Sequence, residues 1–271
     1  MSSPRVKFIV PHLLERKSAS IPLTMVTAYD ATFASIVDDA GIDLILVGDS
    51  VATVMQGQKT TLGVSMEQME YHVLMVASAK PKALIVGDMP FGSYQSSAKD
   101  AVDNAVRLIK AGAEIVKLEG GVYVQEQIEA IVRADIPVMG HIGLTPQSYH
   151  RMGGNKVQGR SNGDQSGSRE RILADARAIE EAGVSAFVIE AVPASLATEI
   201  TSAASVPTIG IGAGINCDGQ VLVLHDLLGL SERTFTFAKS YANLRQLSLN
   251  AVSEYVSDVQ QRRFPDSTNS F

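Results

Sequence analysis

The sequence predicts an α/β fold, a (β/α)8 barrel of eight parallel strands that alternate with helices. Short apolar segments, each bounded by turn residues, alternate along the chain with segments of helical periodicity. Four of the apolar segments end at or near an acidic residue, namely Asp49, Asp88, Glu119 and Glu190. Acidic residues at the carboxyl ends of strands are typical of a barrel whose site lies at that face. A doubly wound open sheet is the alternative.

The length of 271 residues suits one barrel domain over residues 1–271. We expect a capping helix at residues 6–17 and a frayed tail at 265–271. Strands one to seven are predicted at 24–28, 43–50, 83–89, 114–119, 136–142, 186–191 and 206–212. The intervening helices are predicted at 31–40, 65–79, 98–111, 123–133, 169–181 and 194–204. Gly41, Gly112 and Gly183 end three of these helices, and Ser65 with Gln68 forms a capping-box pattern.

The eighth strand is ambiguous. Residues 221–224 have the composition of a strand, but a βα repeat requires a helix between strands seven and eight. Asp218 can cap such a helix and Gly229 can end it. We therefore predict a helix there, strand eight at 234–238 and a last helix at 241–262.

Two long loops interrupt the repeat, at residues 51–64 and 145–168. The second is rich in Gly, Ser, Asn and Gln. Long loops in compact domains often carry function. A mobile lid and plain loop disorder are both open readings of residues 145–168.

Composition excludes several classes of function. The net charge of −6 and the absence of a basic run argue against nucleic acid as a partner. The single cysteine, Cys217, cannot form an internal disulfide, and we expect it to be a small buried or loop residue. We find neither a signal-peptide pattern nor an apolar segment long enough to span a membrane. We therefore expect a cytoplasmic protein.

Alternation of side chains across a strand places Ile45, Val47 and Asp49 on one face. The same alternation pairs Val86 with Asp88, Lys117 with Glu119, and Val188 with Glu190. If these faces point into the barrel, three carboxylates converge from consecutive strands and repel one another. A magnesium ion held by Asp49, Asp88 and Glu119 would relieve that repulsion. Pairing with Lys or Arg, or exposure to solvent, is the alternative for each acid taken alone.

Three further residues are candidates for the chemistry. Glu190 lies across the barrel from strand two and suits a general base, although a salt bridge at the rim is an equal alternative. Lys117 shares the inward face of Glu119 and could bind an anionic substrate. His141 is a ligand, a hydrogen-bond donor or a rim histidine; taken alone, the last is favoured.

Two other motifs carry less weight. The glycine-rich run at residues 210–214 invites a phosphate-binding reading, but its spacing favours a tight turn with close backbone approach. His225 and Asp226 fall on the helix predicted before strand eight. They suit packing or an intersubunit contact as well as a site.

Seven motifs together resemble the ketopantoate hydroxymethyltransferase family. They are Val47-Gly48-Asp49-Ser50, Gly87-Asp88-Met89-Pro90-Phe91, the run Val116-Lys117-Leu118-Glu119-Gly120-Gly121, the run from Gly140 to Ser148, the run from Lys156 to Arg160, Glu190-Ala191-Val192-Pro193 and the run from Ile209 to Gly214. The resemblance extends from the N-terminal helix to about Arg262. Gly63 departs from it, since the family usually has proline there.

The resemblance implies a phosphoenolpyruvate/pyruvate-domain-like barrel and a magnesium site made by Asp49, Asp88 and Glu119. It implies that Asp49, Ser50, Asp88 and Lys117 bind 3-methyl-2-oxobutanoate and that Glu190 is the base. The implied reaction takes a one-carbon unit from 5,10-methylenetetrahydrofolate and gives 2-dehydropantoate, on the route to pantothenate and coenzyme A. A homo-oligomer, often a decamer, is also implied.

Two other functions are open. One is a related magnesium-dependent barrel of the isocitrate lyase and phosphoenolpyruvate mutase kind, which typically carries a catalytic cysteine; no cysteine lies near these strand ends. The other is a binding or assembly protein that keeps the metal pocket without turnover, which an intact Glu190 argues against.

Overall fold

A computed structural model describes residues 5–163, 167–232 and 235–271. Eight parallel strands form a closed barrel in the order β1 to β8, so the predicted fold class is confirmed. The strands are β1 (Leu23–Thr27), β2 (Leu44–Val47), β3 (Leu84–Asp88), β4 (Ile115–Lys117), β5 (Val138–Gly143), β6 (Ala186–Glu190), β7 (Thr208–Ile211) and β8 (Gly219–Leu222). Strands one to seven lie where the apolar segments predict them, with ends that differ by at most three residues.

Eleven α-helices lie within the described residues. They are α1 (Pro11–Ser18), α2 (Ala31–Asp39), α3 (Val51–Val54), α4 (Met66–Ser78), α5 (Ala98–Ala111), α6 (Gln125–Arg133), α7 (Tyr149–Met152), α8 (Arg169–Glu181), α9 (Ala194–Ala203), α10 (Leu224–Leu227) and α11 (Leu244–Gln260). Side chains satisfy the first free backbone N–H groups of several helices. Asp30, Ser97 and Ser168 cap α2, α5 and α8, and the capping box predicted at Ser65 is present on α4.

The barrel interior is filled by alternate residues of the strands. One apolar cluster contains residues from all eight, from Leu23 and Met25 on β1 to Val221 on β8. Burial of both faces is expected of parallel strands, and it explains why most of them read as continuous apolar runs. Polar side chains enter this face only near the carboxyl ends of the strands. The site therefore lies at one mouth of the barrel.

The other mouth is closed by the N-terminal segment. Phe8 and Leu13 belong to the interior cluster. Three cations of this segment pair with acids that directly precede strands: Lys7 with Glu114, Arg16 with Asp43 and Lys17 with Asp218. A fourth cation, Arg5, pairs with Asp38 near the end of α2. The predicted capping helix is present but begins at Pro11 rather than residue 6, in accord with the preference of proline for the first helical turn.

The predicted position of strand eight is wrong. Strand β8 lies at Gly219–Leu222, where it pairs with β1 and β7, and the segment predicted to be a helix holds the strand that closes the barrel. Residues 212–218 connect β7 to β8 without a helix. Both strands are short, so a few extended residues can span the distance from the end of β7 to the start of β8. Of the strand predicted at 234–238, residues 233 and 234 lie outside the described residues, and 235–238 are not in a strand.

The chain divides into two compact units, Met1–Val223 and Leu224–Phe271. The first contains the whole barrel. The second contains α10 and α11, and α11 has no buried residue. The single domain predicted over residues 1–271 stays a prediction. No helix among the described residues is long and apolar enough to cross a membrane.

Closure of the barrel between β8 and β1 can be tested at Gly219. A Cβ atom there would lie 2.6 Å from the Leu23 carbonyl oxygen and 2.7 Å from its Cβ, so Gly219→Ala must push the two strands apart. We expect it to lower the free energy of unfolding by about 2 kcal/mol, the usual cost of overpacking. The measurement is chemical denaturation.

The matched control is Gly63→Ala, whose Cβ meets only the flexible end of the Gln58 side chain. We expect this variant to stay close to wild type. Equal stabilities for Gly219→Ala and Gly63→Ala would contradict the pairing of β8 with β1.

Candidate active site

The predicted site residues meet at the carboxyl end of the barrel. Asp88, Lys117 and Glu190 are the last residues of β3, β4 and β6. Asp49 and Glu119 follow β2 and β4 by two residues, and His141 lies within β5. The ends of five consecutive strands thus supply all of the ionisable groups. All but Glu190 are almost completely buried.

The predicted face of β2 is wrong. The interior residues of β2 are Leu44 and Leu46, not Ile45 and Val47, whereas Val86 and Val188 face inward as predicted. Asp49 still reaches the site because β2 ends at Val47 and the chain turns before α3. The Asp49 N–H donates to Asp88 Oδ2 over 3.2 Å, which holds this turn above β3. Alternation therefore does not determine the direction of Asp49.

Lys117 and Asp88 form an ion pair, with 2.7 Å between Nζ and Oδ1 and side chains only 4% and 2% exposed. Burial opposes the charge of Lys117, but Asp88, Glu119 and Asp49 outweigh it and raise the Lys117 pKa. Burial raises the pKa of Asp88, although Lys117 works against that shift. Each member of the pair thus partly compensates the cost of burying the other.

Asp49 is the least compensated acid of the site. Burial, followed by repulsion from Asp88 and Glu119, raises its pKa well above the ordinary value. Glu119 differs, since His141 and Lys117 outweigh the cost of its burial and lower its pKa. Three buried carboxylates thus share two nearby cations. The negative charge in excess is greatest at Asp49.

His141 lies between two carboxylates. Its Nδ1 is 3.4 Å from Glu119 Oε1 and its Nε2 is 3.2 Å from Glu190 Oε2. Neither contact has hydrogen-bond geometry, so the attraction is electrostatic. Burial and Lys117 lower the pKa of His141, but the two carboxylates prevail and raise it to about 9. The histidine is therefore a cation that joins Glu190 to the carboxylate cluster, rather than a rim residue.

Backbone geometry holds Glu190 at the rim. Its strand partner is Gly143, where a Cβ atom would lie 2.3 Å from the Glu190 carbonyl oxygen and where φ is +92°. Only glycine fits there, which explains one glycine of the run from Gly140 to Ser148. The next residue after Glu190, Ala191, has φ of +47°, an unfavourable conformation for a residue with a Cβ.

Two residues of the site were not assigned from the sequence. Gln147 donates from Nε2 to Asp49 Oδ2 over 3.0 Å and to the Met89 carbonyl over 2.9 Å, and its N–H donates to Glu119 Oε2. Buried Tyr94 donates to the Gln147 side chain over 2.7 Å. Gln147 belongs to the run from Gly140 to Ser148, and that motif could have identified it from the sequence. Tyr94 had no such signal, because its position depends on the loop after β3.

The remaining predictions have mixed outcomes. Ser50 contacts Tyr29 through its hydroxyl, with 2.9 Å between the oxygens. In the run at 210–214, the first two residues end β7 and Gly214 lies close to Ala194, and Cys217 is a buried loop residue. His225 and Asp226 lie on α10, after β8 rather than before it. The lid at 145–168 stays a prediction, and residues 164–166 lie outside the described residues.

The acids form a candidate metal site. Within the described ranges, no three His, Cys, Asp or Glu side chains are grouped closely enough to hold an ion. Lys117, His141 and Gln147 lie against their oxygens instead. The donor set still fits a hard divalent cation, because buried carboxylates exceed buried cations and all of the donor atoms are oxygens. Magnesium at Asp49, Asp88 and Glu119 stays a prediction.

Comparison with known proteins identifies the family. The ketopantoate hydroxymethyltransferase family matches residues 7–267. The chain belongs to this family. A 3-methyl-2-oxobutanoate hydroxymethyltransferase of Geobacter metallireducens is 54% identical over 257 residues, which are 94% of this chain and 95% of that protein. One of the same name from Caldivirga maquilingensis is 50% identical and covers 96% of this chain and 97% of its own. The predicted transferase family is confirmed.

Solved structures confirm the barrel type. A phosphonopyruvate hydrolase complexed with oxalate and Mg++ has a TM-score of 0.61 at 13% identity and covers 96% of this chain and 92% of its own. A 2,3-dimethylmalate lyase of the PEP mutase/isocitrate lyase superfamily has a TM-score of 0.57 at 14% identity and covers 97% and 90%. At such identities the likeness concerns the fold alone.

Burial and repulsion from Asp88 and Glu119 disfavour the charged form of Asp49. We therefore predict that Asp49→Asn stabilises the metal-free protein. A carboxyl group whose pKa is raised on folding destabilises the protein at any pH above the ordinary value of 3.8. We expect a gain in the free energy of unfolding at neutral pH that disappears towards pH 4, because the carboxyl group is then neutral in both states. Denaturation in the presence of EDTA measures it.

The matched control is Asp43→Asn, at the opposite end of β2. Asp43 is also buried, but it pairs with Arg16 and accepts from the Thr24 N–H and hydroxyl. We expect this variant to lose about 2 kcal/mol, since hydrogen bonds to a charged group are broken or weakened. A loss of stability in both variants would contradict the repulsion assigned to Asp49.

Proposed function

We propose that this chain transfers a hydroxymethyl group from 5,10-methylenetetrahydrofolate to 3-methyl-2-oxobutanoate and produces 2-dehydropantoate. One observation supports the proposal above the others. Glu190 lies at the rim on β6, across the barrel from β2, and His141 connects it to Glu119 of the buried cluster that also contains Asp49, Asp88 and Lys117. This arrangement places a base on one side of the barrel mouth and residues that can stabilise a negative charge on the other. It suits removal of a proton from the carbon next to a carbonyl group.

Asp49, Asp88 and Glu119 would hold magnesium, which when bound supplies a Lewis acid for the keto oxygen of the substrate. Lys117 contributes a fixed positive charge, since its ammonium is held by Asp88 at 2.7 Å. Ser50 and Lys117 lie at the same mouth and would orient the carboxylate of the 2-oxo acid. The chain thus binds the acid with its C3 carbon directed towards β6.

Glu190 would accept the proton from C3. Its side chain is 15% exposed, so it is partly shielded from water, and His141 Nε2 lies 3.2 Å from Oε2. The histidine restricts the direction of the carboxylate and joins it to Glu119. Closure of the loop predicted at residues 145–168 would exclude water from the reacting atoms.

The reaction balances when water is included. The electron pair of the broken C3–H bond forms the new bond from C3 to the methylene carbon of the folate. The bonds from that carbon to the two folate nitrogens break, and the nitrogens keep their electron pairs and take up two protons, one removed from C3 by Glu190 and one from water. Water supplies the hydroxyl oxygen, and tetrahydrofolate leaves as the carrier.

Cytoplasmic location and assembly into a homo-oligomer, as large as a decamer, belong to the same proposal.

Proton exchange tests the base without the second substrate. In heavy water with magnesium, wild-type protein should replace the C3 proton of 3-methyl-2-oxobutanoate by deuterium, which NMR follows directly. EDTA should stop the exchange, and Glu190→Gln should slow it by at least about 100-fold, as expected for loss of a general base. Glu181→Gln, an exposed residue at the end of α8, is the matched control and should exchange like wild type.

Addition of 5,10-methylenetetrahydrofolate should then give 2-dehydropantoate. Product formation without prior exchange would show that the base acts only when both substrates are bound. A folded protein that binds magnesium yet gives neither exchange nor product would overturn the proposal and favour a binding protein.

Magnesium should stabilise the folded protein through the same acids. At a concentration about 100 times its dissociation constant, a ligand adds about 2.7 kcal/mol to the free energy of unfolding. We expect wild type and Asp43→Asn to gain stability on addition of magnesium chloride, and Asp49→Asn and Glu119→Gln to gain little. An undiminished gain in Asp49→Asn would place the ion elsewhere.

A further inference from the structure

A cleft of about 780 Å³, including the open space at its mouth, begins at the carboxylate cluster and leads away from it. Glu119, Thr145 and Gln147 line it together with Arg171 and Asp175 of α8. The assigned roles of Glu190 and Lys117 make no use of this space.

Two polar atoms at this cleft lack hydrogen-bond partners among the described residues. They are the Nη2 of Arg171 and the Oγ1 of Thr145, and both atoms are buried. Buried polar atoms are nearly always satisfied, so a donor and a hydroxyl left unpaired in one cleft indicate a polar ligand. The ligand must accept a hydrogen bond from Arg171.

Asp175 adds an acceptor beside this donor. Its Oδ1 accepts from the Val122 N–H over 3.0 Å and from Arg171 Nε over 3.1 Å. Its Oδ2 has no hydrogen bond with any residue that the structure describes, although the side chain is only 16% exposed. Gly121 permits this arrangement, since a Cβ there would lie 2.1 Å from the carboxylate. The second glycine of the Glu119-Gly120-Gly121 run thereby has a physical reason.

Aromatic rings stand at the rim of the cleft. Phe91 and Tyr123 are 49% and 74% exposed, and the Arg171 guanidinium carbon lies 4.2 Å from the centre of the Tyr123 ring. Exposed aromatic side chains beside a charged pair suit a flat heteroaromatic ligand, which can stack on rings while its polar edge is bound. A small aliphatic oxo acid would leave these groups unused.

We propose that this cleft binds the pterin ring of the one-carbon donor, with Asp175 accepting from its amino and ring N–H groups and Arg171 donating to its carbonyl oxygen. The proposal rests on the proposed function, which requires a second substrate next to C3 of the oxo acid. A pterin presents two adjacent N–H donors and a carbonyl acceptor along one edge, and a carboxylate beside a guanidinium complements that edge. The shared residues Glu119 and Gln147 place the cleft next to the reacting centre.

The test separates folate binding from the chemistry of the oxo acid. Asp175→Asn keeps an acceptor for the Val122 N–H but removes the charge, and Arg171→Lys removes the planar fork. Each should weaken binding of tetrahydrofolate, followed by calorimetry, and raise the KM for 5,10-methylenetetrahydrofolate by at least about tenfold, as expected for loss of a charge-assisted hydrogen bond. Proton exchange of 3-methyl-2-oxobutanoate without folate should stay within about twofold of wild type, since neither residue contacts the acids of the barrel mouth.

Arg177→Lys on the exposed side of α8 is the matched control and should leave both measurements unchanged. Tyr123→Leu, at a largely exposed position, tests the stacking without threatening the fold and should raise the folate KM by about fivefold. Unchanged tetrahydrofolate binding in Asp175→Asn and Arg171→Lys would overturn the proposal. So would loss of proton exchange in these variants, because the cleft would then serve the oxo acid. Absence of both exchange and product in wild type would instead overturn the proposed function itself.

Discussion

The buried ion pair of Lys117 and Asp88 is the interaction on which the mouth of the barrel depends. It joins β3 to β4 at their last residues, where three carboxylates gather with little water to screen them. Burial of a lone carboxylate is costly, so each acid requires a cation or a donor nearby. Lys117 serves Asp88 most directly, His141 serves Glu119, and Asp49 is left with the hydrogen bond from Gln147. The incomplete compensation at Asp49 is the feature that a divalent cation would remove.

His141 extends this network to the far side of the barrel. It lies between the buried carboxylate of Glu119 and the partly exposed carboxylate of Glu190. The charge of one carboxylate therefore influences the other electrostatically. Gly143 and Ala191 hold the backbone around Glu190 in conformations that few residues adopt. Local strain next to a solvent-accessible carboxylate is common at functional sites. The rim of β6 is thus rigid at the position where the proposed chemistry needs a directed base.

The two mouths of the barrel use charge in opposite ways. At the amino ends of the strands, acids such as Asp43 and Asp218 are paired with Arg16 and Lys17 of the N-terminal segment, and they hold that segment in place. At the carboxyl ends, acids exceed cations, and a cleft beside them keeps unpaired polar atoms on Arg171 and Thr145. Paired charges at the amino ends stabilise the fold. Excess acids and unpaired polar atoms at the carboxyl ends are available to bind ligands. The same residue types therefore have opposite roles at the two ends.

The sequence by itself determined the barrel class, seven of the eight strands, the capping box of α4 and the acids at the strand ends, because these depend on local periodicity and on short motifs. The tertiary structure alone decided the position of β8, since the pairing of Gly219 with Leu23 is a contact between distant parts of the chain that local patterns cannot report. It also decided the direction of Asp49, which depends on the turn after β2 rather than on alternation within the strand. The contacts of Tyr94 and Gln147, and the approach of Asp175 to Gly121, required loops and a helix from separate repeats to meet at the same edge of the barrel.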